Sequence, residues 1–287
     1  MLNIGIIGTG AMGYPIALNM NRFYNISFYA RRENIIKNLT SNGLKYNTIK
    51  ELANNQEIIF LFVRTYDQCN ECIEELILNN FAGILIIGST ISPNEMEMID
   101  KKCNKKNILT LAMPVTGGVI GAKNGTLTLI ISGKRTVFEK ASEILTSFAK
   151  EIIYLGEDIK SAHVMKALVQ FLVSVNTIAT SEALILGLKM GLNGQDIYKT
   201  IINSAGSSNI FKNRVPTILE NNFNKRGSID ILKKDINIVN DLMKETETIM
   251  ILPPICLNLF NIANNILNKE EDFSSLIKLY KEWNKFK

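Results

Sequence analysis

Apolar residues follow two rhythms along this chain. In the first half, short apolar runs alternate with stretches of helical spacing. Asn3–Ile7, Ile26–Ala30, Glu57–Val63, Ile84–Ile87 and Ile108–Ala112 read as strands. Gly10–Arg22, Glu33–Leu39, Lys50–Asn54, a stretch from about Gln68, and Asn94–Cys103 read as the helices between them. Such alternation predicts a parallel sheet with helices on both faces. Thr126–Ser132 is a further β run, and Ile152–Leu155 reads as the strand that closes the sheet. Past about residue 158 no strand pattern returns. Ser161–Gly191, Asp196–Ser204, Ile229–Thr246, Pro254–Leu267 and Phe273–Trp283 carry helical spacing, punctuated by Asn193-Gly194 and Pro253-Pro254. The expected fold class is α/β: a doubly wound sheet over residues 1–158, then an all-α domain over 159–287.

One helical stretch is unusual. Ala167–Leu186 is apolar nearly all round, which predicts a helix buried on all sides. Gln170, Ser174, Asn176, Thr177, Thr180, Ser181 and Glu182 interrupt it, so it is not read as a membrane span. An assembly hides such a helix more easily than one small domain does, so a homo-oligomer, dimer or tetramer, is expected. Composition narrows the remaining classes. The 287 residues are 46% hydrophobic and 21% charged, ordinary for a globular protein. The net charge is only +5 and no block of five or six like charges occurs, so no nucleic-acid partner is expected. A single histidine excludes multi-histidine metal sites, and no metal is expected. The N-terminus starts a strand at once and does not read as a signal peptide. Cys69 and Cys72 form a CxxC that suits a redox pair, half a zinc site or two reduced structural thiols. No second pair completes a zinc site, so reduced thiols and a cytoplasmic location are the expectation.

Gly8-Thr9-Gly10-Ala11-Met12-Gly13 is GxGxxG, ending one strand and opening a helix. That context makes it a dinucleotide fingerprint and the first half a Rossmann domain. The first glycine permits the tight turn, the second lets backbone approach a pyrophosphate, and the third allows close helix–strand packing. Phosphate oxygens would face N–H groups at the helix start. An NAD site usually carries an acid at the end of the second strand. Here Ile26–Ala30 is followed by Arg31 and Arg32, which suit a 2′-phosphate. NADP is therefore expected, with NAD as the alternative.

The run Ile6 to Met20 resembles the signature of the β-hydroxyacid dehydrogenases, which include 3-hydroxyisobutyrate dehydrogenase, tartronate semialdehyde reductase and the glyoxylate/succinic semialdehyde reductases. The 6-phosphogluconate dehydrogenases are related. Four further stretches agree in order: Ser89-Thr90-Ile91-Ser92-Pro93; Pro114-Val115-Thr116-Gly117-Gly118 with Gly125-Thr126-Leu127; Lys166 with Glu182-Ala183-Leu184; and Lys233-Lys234-Asp235. The resemblance implies hydride transfer between a nicotinamide and a small β-hydroxyacid or its semialdehyde or keto acid. It implies that Lys166 exchanges the hydroxyl proton, beside Gln170. Thr116, Gly117 and Gly118 would grip the substrate carboxylate, and Val63, Arg64, Thr90 and Lys234 would join the glycine loop and Arg31 and Arg32 around the cofactor. A lysine on an apolar helix face is pushed towards the neutral amine, the form useful as a base; the bland reading of Lys166 is a snorkelling surface lysine.

Several residues depart from the family pattern. Gln170 stands where Asn is usual, one methylene longer. Lys160 and Ala162 replace two glycines ahead of the lysine. His163 occupies a place where the 6-phosphogluconate enzymes also carry His, and either packs or touches ligand. Arg64 stands where Pro is common, at the ligand side of the sheet. Two other readings share these motifs: an imine reductase of the same architecture, which Lys166 argues against, and a dinucleotide-binding protein without catalysis.

Overall fold

The structure is a computed structural model that describes residues 2–224 and 226–286. It divides into two compact units, one up to Lys166 and one from Ala167 onward. The first opens with β1 (Ile4–Ile7), α1 (Gly13–Met20), β2 (Ile26–Tyr29), α2 (Glu33–Ser41), β3 (Lys45–Tyr46) and α3 (Ile49–Asn55). It continues with β4 (Ile58–Leu61), α4 (Tyr66–Leu78), β5 (Ile84–Ile87), α5 (Pro93–Asn104) and β6 (Leu109–Ala112). Among the described residues these strands form one parallel sheet in the order β3-β2-β1-β4-β5-β6. β1, β4 and β5 are short runs rich in isoleucine, buried at every position, as a sheet covered on both faces requires. Side-chain caps fix the helix starts between them. Thr48 with Glu51 and Ser92 with Glu95 form reciprocal capping boxes, and Thr65 accepts from the Gln68 amide. Phe28, Phe60 and Phe148 are fully enclosed, and Phe60 meets Phe148 edge to face at 5.9 Å.

The later β segments do not close this sheet. β7 (Val115–Thr116), α6 (Gly118–Asn124), β8 (Leu127–Ile131), α7 (Arg135–Thr146) and β9 (Ala149–Tyr154) build a second, three-stranded sheet in the order β7-β8-β9. β8 runs antiparallel to β7 and parallel to β9. A single bridge, Ala112 to Ser132, joins the two sheets. The physical reason lies at Gly117 and Gly118, both at positive φ: they turn the chain out of β7 into α6, so it returns beside β7 rather than beside β6. An apolar alternation marks a strand but does not name its neighbour.

α8 (Ser161–Lys189) begins in the first unit and runs on into the second. There follow α9 (Gly194–Ile202), α10 (Asn209–Leu219), α11 (Ile229–Glu245), α12 (Leu252–Ile266) and α13 (Ile277–Trp283), the last preceded by a 3-10 turn at Phe273–Leu276. Leu184, Val215, Ile229, Leu232, Ile236, Phe260 and Leu276 lie in the core of the second unit. Asp272 braces that unit. Its carboxylate accepts from the Arg226, Gly227 and Ser274 amides and the Ser274 hydroxyl, and pairs with Arg214 Nε at 3.1 Å.

α8 corrects the expectation of a helix enclosed all round. Its buried positions include Lys166, Ser174, Thr177, Thr180 and Ser181, while Leu168, Leu172 and Leu186 are exposed. Three of these hydroxyls donate to carbonyls one turn back: Ser174 to Gln170 at 2.9 Å, Thr177 to Val173 at 2.7 Å and Ser181 to Thr177 at 3.0 Å. By length and composition α8 passes for a membrane-crossing helix, with mean hydropathy 1.6 over its most apolar 18-residue window. Its hydroxyl-bearing stripe is also what the core helix of a water-surrounded protein tolerates.

Candidate active site

The glycine turn is built as a dinucleotide loop needs. Gly8 has φ 91°, and a Cβ there would stand 2.3 Å from the Phe62 carbonyl oxygen. A Cβ on Gly13 would stand 2.2 Å from the Gly8 carbonyl oxygen, so α1 packs against the turn with no room for a side chain. At Gly10 a Cβ would meet nothing within 4 Å. The outer glycines are thus locked by packing, and the middle one leaves backbone open to an approaching pyrophosphate. Thr9 is buried, and no acid occupies the first turn of α1 to repel phosphate.

Strand register brings the other rim residues to the same edge. Ile7 lies beside Tyr29 and Leu61, and Leu61 beside Ile87. β1, β2, β4 and β5 therefore end level, and the glycine turn, Arg31 and Arg32, Val63 and Arg64, and Ser89 and Thr90 all follow those ends. The strand order reverses about β1 and β4, which makes this the switch-point crevice of an open parallel sheet. Ser89 Oγ ties two of the ends together: it accepts from the Val63 amide at 2.9 Å and donates to the Leu61 carbonyl at 3.3 Å. Arg31, Arg32 and Arg64 are exposed.

Lys166 is 7% exposed and His163 1%. His163 Nε2 lies 3.1 Å from the Ser89 carbonyl oxygen, which sets the first turn of α8 against the end of β5. Ser132 Oγ, also fully buried, accepts from the Ala162 amide at 3.1 Å and donates to the Ile159 carbonyl at 2.9 Å. With Ala162 and Lys160 in place of glycines, the chain turns into α8 through these bonds and through the Asp158 carboxylate, which accepts from the Lys160 amide. Thr116 is half-buried and Gly117 and Gly118 exposed at the end of β7. α6, which starts there, is tied to α1 by buried Asn19, whose Nδ2 donates to the Ala122 carbonyl at 2.7 Å.

In the second unit, Gln170 Nε2 donates to Asp235 Oδ2 through a short hydrogen bond, and Lys234 Nζ reaches Asp235 Oδ1 at 3.1 Å. Asp235 is 2% exposed. A carboxylate only accepts, so the Gln170 amide must turn its NH2 towards Asp235 and its carbonyl oxygen away. Gln170 lies one helical turn beyond Lys166, on the same face of α8. The glycine turn, Arg31, Arg32, Val63, Arg64 and Thr90 thus follow strand ends on one rim, while Gln170 and Lys234 meet each other through Asp235. Asp235 belongs to the Lys233-Lys234-Asp235 stretch of the resemblance, but Ser132 is in no motif; a lone hydroxyl ending an apolar run was the available sign. Cys69 and Cys72 are free, buried thiols in α4, and burial pushes the Cys72 thiol up to about 11. That is the reverse of a reactive pair.

A glycine turn at the switch point of a six-stranded parallel sheet marks the dinucleotide cleft of a nicotinamide-dependent oxidoreductase. The family model for the NAD-binding domain of 6-phosphogluconate dehydrogenase matches residues 3–156. That described as NAD-binding of NADP-dependent 3-hydroxyisobutyrate dehydrogenase matches residues 161–280. The chain belongs to the β-hydroxyacid dehydrogenase family, NAD(P)-dependent enzymes of small hydroxyacids. It is 27% identical to an L-threonate dehydrogenase of Cupriavidus necator, over 97% of this chain and 96% of that one. It is 26% identical to a 2-hydroxy-3-oxopropionate reductase of Escherichia coli, over 96% of each. Among solved structures, a 3-hydroxyisobutyrate dehydrogenase from Salmonella typhimurium superposes with a TM-score of 0.90 at 24% identity, covering 97% of this chain and 100% of that one.

Proposed function

We propose that this enzyme interconverts a short hydroxyl-bearing hydroxyacid and its semialdehyde or keto acid with NADP(H), and that Lys166 exchanges the hydroxyl proton. The observation that carries the reading is the buried Lys166, three residues beyond His163, whose ring contacts Ser89 at the end of β5. When bound there, the nicotinamide supplies or takes up the hydride. The chain's own part is to hold the phosphates on the Gly8–Gly13 backbone, grip the substrate carboxylate at Thr116, Gly117 and Gly118, and exclude water around Lys166. In reduction the Lys166 ammonium donates to the forming alkoxide; in oxidation the amine accepts the proton.

Arg31 and Arg32, exposed after β2 with no acid at the strand end, support NADP over NAD. Gln170, with its carbonyl turned from Asp235, suits a hydroxyl donor better than a carboxylate oxygen, which agrees with the polyhydroxylated acid in the name of the Cupriavidus relative. Lys234, drawn to Asp235, is the helical unit's candidate for the cofactor. The exposed leucines of α8 and a second exposed stripe on α12, at Leu252, Ile255, Ile262 and Ile266, support a homo-oligomer in which a second copy covers them. Free, buried thiols support a cytoplasmic setting.

The test is a panel of C3 and C4 hydroxyacids, semialdehydes and keto acids with NADPH and NADH, on the wild type and Lys166→Met. Turnover on at least one of them, a preference for NADPH, and a loss of kcat of about 10²–10⁴-fold in Lys166→Met are expected. Undiminished kcat in the variant would remove Lys166 from the chemistry.

A further inference from the structure

We infer that His163 is a positioning residue for Lys166, acting through the carbonyl oxygen of Ser89. The inference rests on the reading of Lys166 as the proton-exchanging group. His163 lies three residues before Lys166, and at 1% exposure it is enclosed. Its Nε2 stands 3.1 Å from Ser89 O. A carbonyl oxygen has no proton to give, so Nε2 carries the hydrogen and the imidazole is the donor. The acceptor is not a loose loop. Ser89 is pinned between two strand ends by its own hydroxyl, towards Val63 and Leu61, and the Gly88 amide donates to the Leu61 carbonyl at 2.9 Å. The histidine therefore grips the same rigid rim that carries Val63 and Thr90.

A second hold acts on the preceding residue. Ser132 Oγ takes the Ala162 amide and reaches the Ile159 carbonyl. That contact is made to main chain and fixes where the helix starts. The His163 contact is made by a side chain and fixes the rotation of the helix about its axis. Residues three apart are separated by about 60° around a helix, so a rotation that breaks the Ser89 contact swings Lys166 with it. A displacement of the reacting group by about 1 Å costs on the order of 10²-fold in rate. The replacement of two expected glycines by Lys160 and Ala162 fits this account: the approach to α8 is set by side-chain bonds rather than by glycine geometry.

The experiment compares His163→Gln and His163→Asn, with Lys166→Met alongside. The glutamine amide nitrogen reaches the place of Nε2; the asparagine nitrogen reaches only that of Nδ1. His163→Gln is expected to keep kcat within about threefold of wild type, and His163→Asn to lose about 10²-fold. The dissociation constant for NADPH and the melting temperature should stay close to wild type in both. Equal kcat in the two variants would overturn the inference, as would a loss confined to KM for the acid, which would mean direct substrate contact. Full activity in Lys166→Met would instead sink the underlying reading, and the inference with it. A loss in Lys166→Met with no difference between the histidine variants would sink the inference alone. Because the chain has one histidine, ¹⁵N-histidine labelling of untagged wild-type protein reports this ring only. A protonated Nε2 across the active pH range is expected, and a bare Nε2 would refute the proposal even if neither variant folds.

Discussion

The two units bury polarity in opposite ways. In the sheet unit the central strands are apolar throughout, and polar side chains gather where the strands end, at Thr9, Ser89 and Ser132. In the helical unit, hydroxyls and carboxylates run through the interior beside the apolar core, at Ser174, Thr177, Asp235 and Asp272, while several leucines and isoleucines of α8 and α12, among them Leu172, Leu186, Ile255 and Ile262, are exposed. The first arrangement lets apolar burial drive folding and keeps chemistry at one rim. The second keeps an apolar core too, but threads through it polar groups that each need a partner. An interior of that kind is sensitive to single acceptors and tolerant of single hydroxyls that bond within their own helix.

The comparison can be broken at its strongest point first. Asp272→Ala removes the acceptor of the Arg226, Gly227 and Ser274 donors and leaves Arg214 without its counter-ion in a buried place. A loss of about 3–5 kcal/mol is expected for breaking such a pair. The only tryptophan, Trp283, lies in α13, so a urea titration followed by its fluorescence reads this unit directly. A loss under about 1 kcal/mol would mean the interior does not hang on matched polar groups. Next comes Leu172→Glu, which places a charge on the exposed face of α8. Light scattering on a sizing column should show the wild type as an oligomer and this variant as a smaller species. A monomeric wild type would mean that the outward stripe has no second copy to cover it. The smallest effect is expected for Thr177→Val, which deletes a hydroxyl bonded only within its own helix. Stability should change by no more than about 1 kcal/mol, because the Val173 carbonyl keeps its ordinary helical partner.

What was legible in the sequence follows from the same contrast. The strands of the main sheet, the glycine turn and the helices between them stand out because apolar run and polar gap alternate there. β3 does not, being two exposed residues with no apolar run. α7 is masked by charges between Val137, Ala141, Ile144 and Leu145, although those four positions share one face. α10 carries Pro216 in its interior, which ordinarily ends a helix. The Lys212 carbonyl that a proline leaves without its usual partner accepts instead from the Tyr198 hydroxyl at 3.2 Å, a contact that no local pattern reveals. For the site, spacing and context brought out the Gly8–Gly13 loop, whereas Lys166 and Gln170 stood out only through the family resemblance. Neither spacing nor resemblance could show that Gln170 turns towards Asp235, that Ser132 holds the start of α8, or that the ring of His163 is met by a carbonyl. Those facts depend on residues scores of positions apart.

The shortness of β3 has a consequence for the protein in a crowded solution. A sheet margin with a free row of amides and carbonyls invites another chain to extend it, and the invitation grows with the length and flatness of the strand. β3 offers only two residues, one of them a lysine, β7 offers two, and β9 sets Lys150 and Glu151 side by side on its exposed stretch. β6, the remaining margin, is largely enclosed. Among the described residues, fibre-like growth by strand addition therefore has no adequate template on either sheet.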